Sequence, residues 1–114
     1  MPKAPGSLSS PRLKITPLNW RAQGKVSPVK QQGRCGSCWA FAATASIESS
    51  RRVQLNKKGN FAEQQVLDCT YTTRDGCNGG WMHTAYQYLI GSSGLHREKN
   101  YPYVSGDTRT AGNC

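Results

Sequence analysis

A chain of 114 residues, 36% of them hydrophobic, makes one domain at most, and a core of that size gains from covalent cross-links. Its net charge of +9 is uneven: residues 1–58 hold eleven Lys/Arg against one acid, Glu48, and residues 59–114 hold four against five acids. The bases are scattered rather than stacked on one helix and no base-reading motif is present, which argues against nucleic-acid binding, and no window is apolar enough to span a membrane. Residues 1–14, rich in Pro, Ser and Gly over the first twelve, read as a flexible lead-in, the end of a prosegment or residues added in cloning. They contain no apolar run of signal-peptide length. Turn signals scattered over 13–36 read as extended loop. Ser37 is a favourable N-cap for a helix starting at Cys38. Ala40, Phe41, Ala42, Ala43, Ala45, Ile47 and Val53 make that helix small or apolar nearly all round, as in a central, buried helix, and it is expected to end near Lys57-Lys58-Gly59. A short second helix is expected over about Glu63 to Asp68, with Ala62 a poor cap and Asn60 an alternative. A polar loop runs from Cys69 to Gly80, and a third helix from about Trp81 to Ile90 repeats Met82, Ala85, Tyr86 and Leu89 at helical spacing. The stretch from Gly91 through Tyr101-Pro102-Tyr103 to Cys114 reads as loop.

The chemistry concentrates in Gln31-Gln32-Gly33-Arg34-Cys35-Gly36-Ser37-Cys38-Trp39-Ala40-Phe41. Thiol catalysis needs a thiolate at neutral pH, and the unpaired amides of a helix N-terminus favour one, as does an adjacent imidazolium. Cys38 stands at such a terminus. Attack on an acyl carbon also needs donors aimed at the developing oxyanion. The backbone N–H of Cys38 and the side-chain amide of Gln32 are candidates, with Gly33 and Gly36 letting the chain fold back.

Five cysteines suggest pairs plus one special thiol, and paired cysteines point to an oxidising compartment. Two other uses of them are weaker. Cys35-Gly36-Ser37-Cys38 is a C-x-x-C, but it lacks the preceding strand of a redox motif. Cys35, Cys38, Cys69 and Cys77 have the ligand types for zinc, but Cys69 and Cys77 are too widely spaced for a common knuckle.

Cys35-Gly36-Ser37-Cys38-Trp39 matches the signature around the nucleophile of papain-like cysteine proteases. Trp20-Arg21, Gly24-Lys25-Val26, Pro28-Val29-Lys30, Gln32-Gly33, Glu63-Gln64, Leu67-Asp68-Cys69, Gly76-Cys77-Asn78-Gly79-Gly80 and Tyr101-Pro102-Tyr103 follow in that family's order. The chain therefore resembles that family from Ile15 to Cys114, roughly the first half of a mature domain. Gly80-Trp81-Met82 with Gln87-Tyr88 is most similar to the cathepsin L-like group.

The resemblance implies an α+β, papain-like two-domain fold, of which residues 15–114 cover mainly the helical N-terminal domain around a long helix starting at Cys38, with a second, β-rich domain outside this chain. It implies a thiol endopeptidase that passes through an acyl-enzyme on Cys38, with Gln32 in the oxyanion hole and a preference for bulky apolar P2 side chains. It assigns substrate contacts to Gly36, Ser37, Trp39, Gly79, Gly80, Trp81 and Met82. Of the three pairings four cysteines allow, it selects Cys35–Cys77 and Cys69–Cys114, each loop worth about 4 kcal/mol in the chain-entropy model. It implies no metal or organic cofactor, peptide or protein substrates, cystatin-type or propeptide inhibitors, a second domain of the same protein as partner, and a lysosomal, vacuolar or secreted location.

Asn19, Gln31, Ala62 and Trp81 depart from the family's usual residues; the lost cap at Ala62 is worth roughly 1 kcal/mol. The family's catalytic His and Asn lie about 130–150 residues beyond the nucleophile, whereas Cys114 follows Cys38 by 76. His83 and His96 both lie outside the family's histidine context, so this chain alone is expected to hydrolyse little or nothing. The alternative is a non-catalytic, truncated homologue that acts at most as a peptide- or inhibitor-binding module.

Overall fold

The computed structural model describes residues 17–114, so the expected lead-in lies outside the described residues. In chain order they form α1 (Cys38–Leu55), α2 (Glu63–Cys69), α3 (Met82–Gly91) and α4 (Ser105–Thr108), with single 3-10 turns at Gly76–Asn78 and Glu98–Asn100. Among the described residues there is no strand, only one antiparallel bridge between Phe61 and Arg97. This is the helical part that the resemblance implies, and no described helix is long and apolar enough to cross a membrane.

Helix α1 is the axle, packing against both α2 and α3. It stops at Leu55 rather than at the Lys57-Lys58-Gly59 run, because Asn56 takes the left-handed conformation (φ 51°) and the N–H groups of Asn56 and Lys57 both close on Arg51 O. Asn tolerates that region through its short polar side chain, so the first such residue ended the helix before glycine was reached. Nor is α1 buried all round. Trp39, Ala40, Ala43, Thr44, Glu48 and Arg52 form one buried stripe at three- and four-residue spacing, while Ala45, Ser46 and Val53 are exposed. Ala40, Ala43 and Ala85 are fully buried where α1 meets its neighbours, and such small side chains let backbones approach closely. The core they start is completed by Cys35, Trp39, Val66, Leu67 and Ala111.

Glu48, the only acid in the first half of the chain, is 1% exposed. Its carboxylate accepts hydrogen bonds from Ser27 Oγ at 2.6 Å, Phe61 N at 2.7 Å and Lys30 Nζ at 3.0 Å. Lys30 also reaches Glu63 at 2.7 Å and Phe61 O at 3.3 Å. One ammonium thus joins the incoming loop, α1 and α2. Such a group adds little net stability against an apolar equivalent, but removing one partner strands a buried charge at about 3–5 kcal/mol. Burial alone would lower the Lys30 pKa; its hydrogen bonds to Glu63 and Glu48 outweigh that and raise it.

From Glu63 to Asp68 every residue of α2 is buried, most of them polar. The polar atoms of this helix organise the irregular stretch that follows α3. Gln64 Oε1 accepts from Val104 N and Ser105 N, while its Nε2 donates to Asp68 and to Ser105 Oγ. Gln65 Nε2 donates to Tyr88 Oη and Gly94 O, and its Oε1 accepts from His96 N. Asp68 accepts from Tyr101 Oη and Gly112 N. Burial, reinforced by Asp68, raises the Tyr101 pKa to about 12. Buried backbone groups need partners, and here side chains of α2 replace a sheet. Ala62 is the residue before α2 and provides no side-chain cap, and Asn60 does not substitute for it.

Two predictions follow from this interior. Burial, with the facing carboxyl of Glu98, raises Glu63 from its ordinary 4.5 to about 7, against the pull of Lys30. Glu63 Oε1 and Glu98 Oε2 are both buried with no hydrogen-bond partner among the described residues. A carboxyl whose folded pKa is raised contributes stability that is complete below about pH 4.5 and is lost as pH rises through 7. Denaturant unfolding at pH 4.5 and pH 7.5 should therefore show Glu63→Gln losing less stability than the wild type over that interval, by up to about 3 kcal/mol; equal losses would refute the raised Glu63 pKa. The second concerns Trp39, 3% exposed, whose Cε2 a Cβ on Gly80 would approach to 2.6 Å. Gly80→Ala should cost about 1–3 kcal/mol by thermal melting, whereas Gly91→Ala, in open space at the end of α3, should stabilise by up to about 1 kcal/mol.

Candidate active site

Cys38 is the first residue of α1, exposed, and the free cysteine of the chain. Ser37 occupies the N-cap position as expected, but its side chain does not cap the helix. The hydroxyl is fully buried and bonds to Tyr103 Oη at 2.8 Å. Ala40 N and Phe41 N both close on Ser37 O, leaving the N–H groups of Cys38 and Trp39 without a partner among the described residues. A capped terminus would have consumed one of the donors that a helix N-terminus offers to developing negative charge.

The loop entering α1 is fastened from two sides. Gly33 lies at φ +67°, and a Cβ there would come within 2.7 Å of Gly106 Cα. Arg34 N donates to Gly106 O at 3.0 Å, and Tyr103 Oη donates to Gln32 O. Tyr103 has one hydroxyl hydrogen; with it on Gln32 O, the Ser37 hydroxyl is the donor in their contact. Burial raises the pKa of this tyrosine and keeps it in the donor form. On the other side Cys35 is bonded to Cys77, and Gly36 N donates to Cys77 O at 2.7 Å. A Cβ on Gly36 would stand 2.5 Å from that same oxygen, so only glycine allows the approach. The Gln32 side chain donates from Nε2 to Cys35 O at 2.8 Å. A primary amide carries two N–H bonds, so this anchor orients Gln32 and leaves the second available.

Gly79 and Gly80 follow Cys77 and so share the anchor of the Cys38 loop. Gly79 is at φ +115° with nothing within 4 Å of its missing Cβ. Gly80 lies against the face of Trp39, whose indole Nε1 donates to Gly76 O at 3.0 Å. Trp81 N donates to Tyr71 Oη, and Tyr71 meets Trp39 edge to face at 5.4 Å. Tyr71, Thr73, Asp75, Asn78, Gly79, Gly80 and Trp81 line an open groove of about 580 Å³. Trp81 is 68% exposed, stacked on His83 at 6.2 Å, and Met82 beside it is exposed at the start of α3.

The structure thus joins Gln32, Gly36, Ser37, Cys38 and Trp39 to Gly79 and Gly80 through one bridge, one backbone hydrogen bond and the Trp39 indole, with Trp81 and Met82 at the outer end. It brings no histidine to the thiol: among the described residues no hydrogen bond links His83 or His96 to Cys38. The two disulfides expected from the resemblance are present, and they exclude the redox and zinc uses already set aside as weaker. Cys35 is bonded to Cys77 and Cys69 to Cys114, so Cys35 and Cys38 form no dithiol pair and no set of four thiolates exists. Tyr71 and Tyr103, which hold the glycine strip and the Gln32 loop, were given no role at the site from the sequence. Tyr103 had a signal in Tyr101-Pro102-Tyr103, where a proline between aromatics fixes a turn in a loop-rich stretch; Tyr71 had none.

Residues 16–114 match the family model described as papain family cysteine protease. Zingipain-2 of Zingiber officinale is 43% identical over 90 residues, covering 79% of this chain and 40% of that protein. Digestive cysteine proteinase 2 of Homarus americanus is 41% identical over 109 residues, 91% of this chain and 34% of that protein. A structure of the bromelain protease from Ananas comosus in complex with the E64 inhibitor superposes with a TM-score of 0.76 at 39% identity, covering 85% of this chain and 42% of the other. The chain spans less than half the length of these relatives. The free Cys38 on a helix N-terminus, its bridged flanking loop and these matches together establish that the chain belongs to the papain family of cysteine proteases.

Proposed function

We propose that this chain carries the nucleophile half of a thiol endopeptidase, with Cys38 attacking the scissile carbonyl. The observation that carries the reading is an exposed free thiol at the start of α1, beside two unpartnered amides and an anchored Gln32. The thiolate forms a C–S bond to the carbonyl carbon as the C=O π electrons move onto oxygen. The Cys38 N–H and the second Gln32 N–H donate to that oxyanion, each such donor being worth on the order of 3 kcal/mol. Collapse expels the amine, which needs a proton, and leaves an acyl-enzyme for water to cleave. The extended substrate lies along Gly79 and Gly80, where the missing side chains expose backbone for edge-strand pairing. Trp81 and Met82 border the pocket for the second side chain before the cleaved bond and favour a bulky apolar one, in the manner of the cathepsin L-like group.

The proton-transfer partner of Cys38 comes from outside the described residues, so residues 1–114 alone bind peptide but do not turn it over. Its place is on the β-rich domain, and the exposed Val29, with Val26, Phe41 and Ala45 around a cleft of about 270 Å³, is the surface on which that domain would seat. The residue pairing by disulfides suits an oxidising vacuolar, lysosomal or extracellular compartment.

A peptide aldehyde forms a reversible thiohemiacetal with the thiol and needs no leaving-group proton. An aldehyde with Leu or Phe at P2 should bind the chain at least tenfold tighter than one with Gly, and Cys38→Ala should abolish binding. The same chain should release no fluorophore from the matching amide substrate. Turnover that Cys38→Ala removes would place the base inside the chain and sink the two-part reading, while equal aldehyde affinities would sink the P2 assignment.

A further inference from the structure

The charge that the catalytic reading leaves unused is on the far end of α1. Six acids set against fifteen bases already leave an excess of cations, and folding enlarges it at the surface. Glu48, Glu63 and Asp68 are buried, and the partly buried Glu98 turns one oxygen to Tyr103 N and the other inward. Asp75 and Asp107 are the exposed acids, one beside the glycine strip and one on α4.

The cations are gathered by contact. Arg51, in the last turns of α1, lies over the Phe61 ring at 5.1 Å, and Arg97 lies over the same ring at 5.9 Å. Phe61 pairs antiparallel with Arg97, and Glu98 N donates to Asn60 O at 2.9 Å. A Cβ on Gly59 would meet Arg97 Nη1 at 3.4 Å, which sets Lys57 and Lys58, the two residues before it, at the same edge, and Lys99 follows on the 3-10 turn after Arg97. All but Arg51 are exposed, and among the described residues the ion pairs are those of Lys30, so no carboxylate neutralises any of the five. Asn60, Arg97, Glu98 and Lys99 border an open cleft of about 480 Å³ within the patch. Arg51 stands 13 residues along α1 from Cys38, about 20 Å of helix axis.

We propose that the surface of Arg51, Lys57, Lys58, Arg97 and Lys99 binds an anionic polysaccharide carrying sulfate or carboxylate groups along its length. Unneutralised Lys and Arg on one face attract a polyanion by releasing its counterions. The polysaccharide is favoured over a nucleic acid for two reasons. The ring at the centre, Phe61, is 7% exposed and covered by two guanidiniums, so it offers no stacking platform for bases. The two disulfides suit an oxidising compartment. Binding at this distance would hold the protein on a matrix with Cys38 still open to substrate.

Heparin, polygalacturonate and a single-stranded oligothymidylate are the probes. The 114-residue chain should bind heparin or polygalacturonate tighter than the oligonucleotide at equal salt, with affinity falling steeply as salt rises. Lys58→Glu/Lys99→Glu should weaken polysaccharide binding at least tenfold, and Arg34→Glu/Arg74→Glu, an equal charge change elsewhere, by less than threefold. Acetylation of the unmutated chain under bound heparin should protect Lys57, Lys58 and Lys99 selectively, which reads the site without any variant. Equal losses in the two double variants, or unselective protection, would reduce the patch to net charge and overturn the proposal. Tighter binding of the oligonucleotide would overturn the choice of partner.

Discussion

The site depends on one covalent and one steric fact at the same place: Cys35 is bonded to Cys77, and the Gly36 amide rests on the Cys77 carbonyl at 2.7 Å. The bond spans 42 residues of sequence. By itself it sets only a distance between two Cα atoms. The hydrogen bond beside it, tolerated because Gly36 has no Cβ, sets orientation. Through this pair the start of α1, which carries Cys38, and the Gly79–Gly80 strip, which precedes α3, become parts of one surface. Trp39 completes the arrangement by filling the space between them, with Gly80 on its face and Gly76 O on its indole nitrogen.

The interior behind that surface is held as much by polar groups as by apolar ones. A chain of this size has few large apolar residues to bury, and Leu67 is the largest fully buried side chain, followed by Glu48 and Glu63. Lys30 bridges those two acids, and the amide and carboxylate groups of α2 satisfy the backbone of the stretch from Gly94 to Gly112. Two consequences reach the surface. The acids drawn inside leave the exterior more cationic than the composition alone states. The long irregular stretch, tied to α2, brings Tyr103 to Gln32 O and so fastens the Cys38 loop from the side opposite the bridge.

The legible parts of the fold were those with local causes. The three main helices follow from spacing and from Ser37, and the Cys38 loop follows from residue types whose chemistry is specific. The end of α1 was misplaced because Asn56 competed with Gly59 for the left-handed position. Ser37 was correctly placed but wrongly used: nothing local reveals that a tyrosine 66 residues away will take its hydroxyl. Glu48 entered only as the one acid of the first half, Gln64 only within Glu63-Gln64 of the family's order, and Gln65 not at all. Their burial is set by long-range partners, which periodicity does not report. The Cys38 loop was readable because its residue types lie together within eleven residues; the tyrosines that support it were not, because they meet it only across the whole chain.

Amide hydrogen exchange in a Cys35→Ser/Cys77→Ser variant tests most directly whether this bridge registers the two halves of the site rather than merely stabilising the helices. The account predicts that Gly36 N–H and the Trp39 indole N–H lose at least a hundredfold of their protection, while Ala43 and Thr44 within α1 keep theirs. Unchanged protection at Gly36 and Trp39, or collapse of α1 along with them, would contradict it.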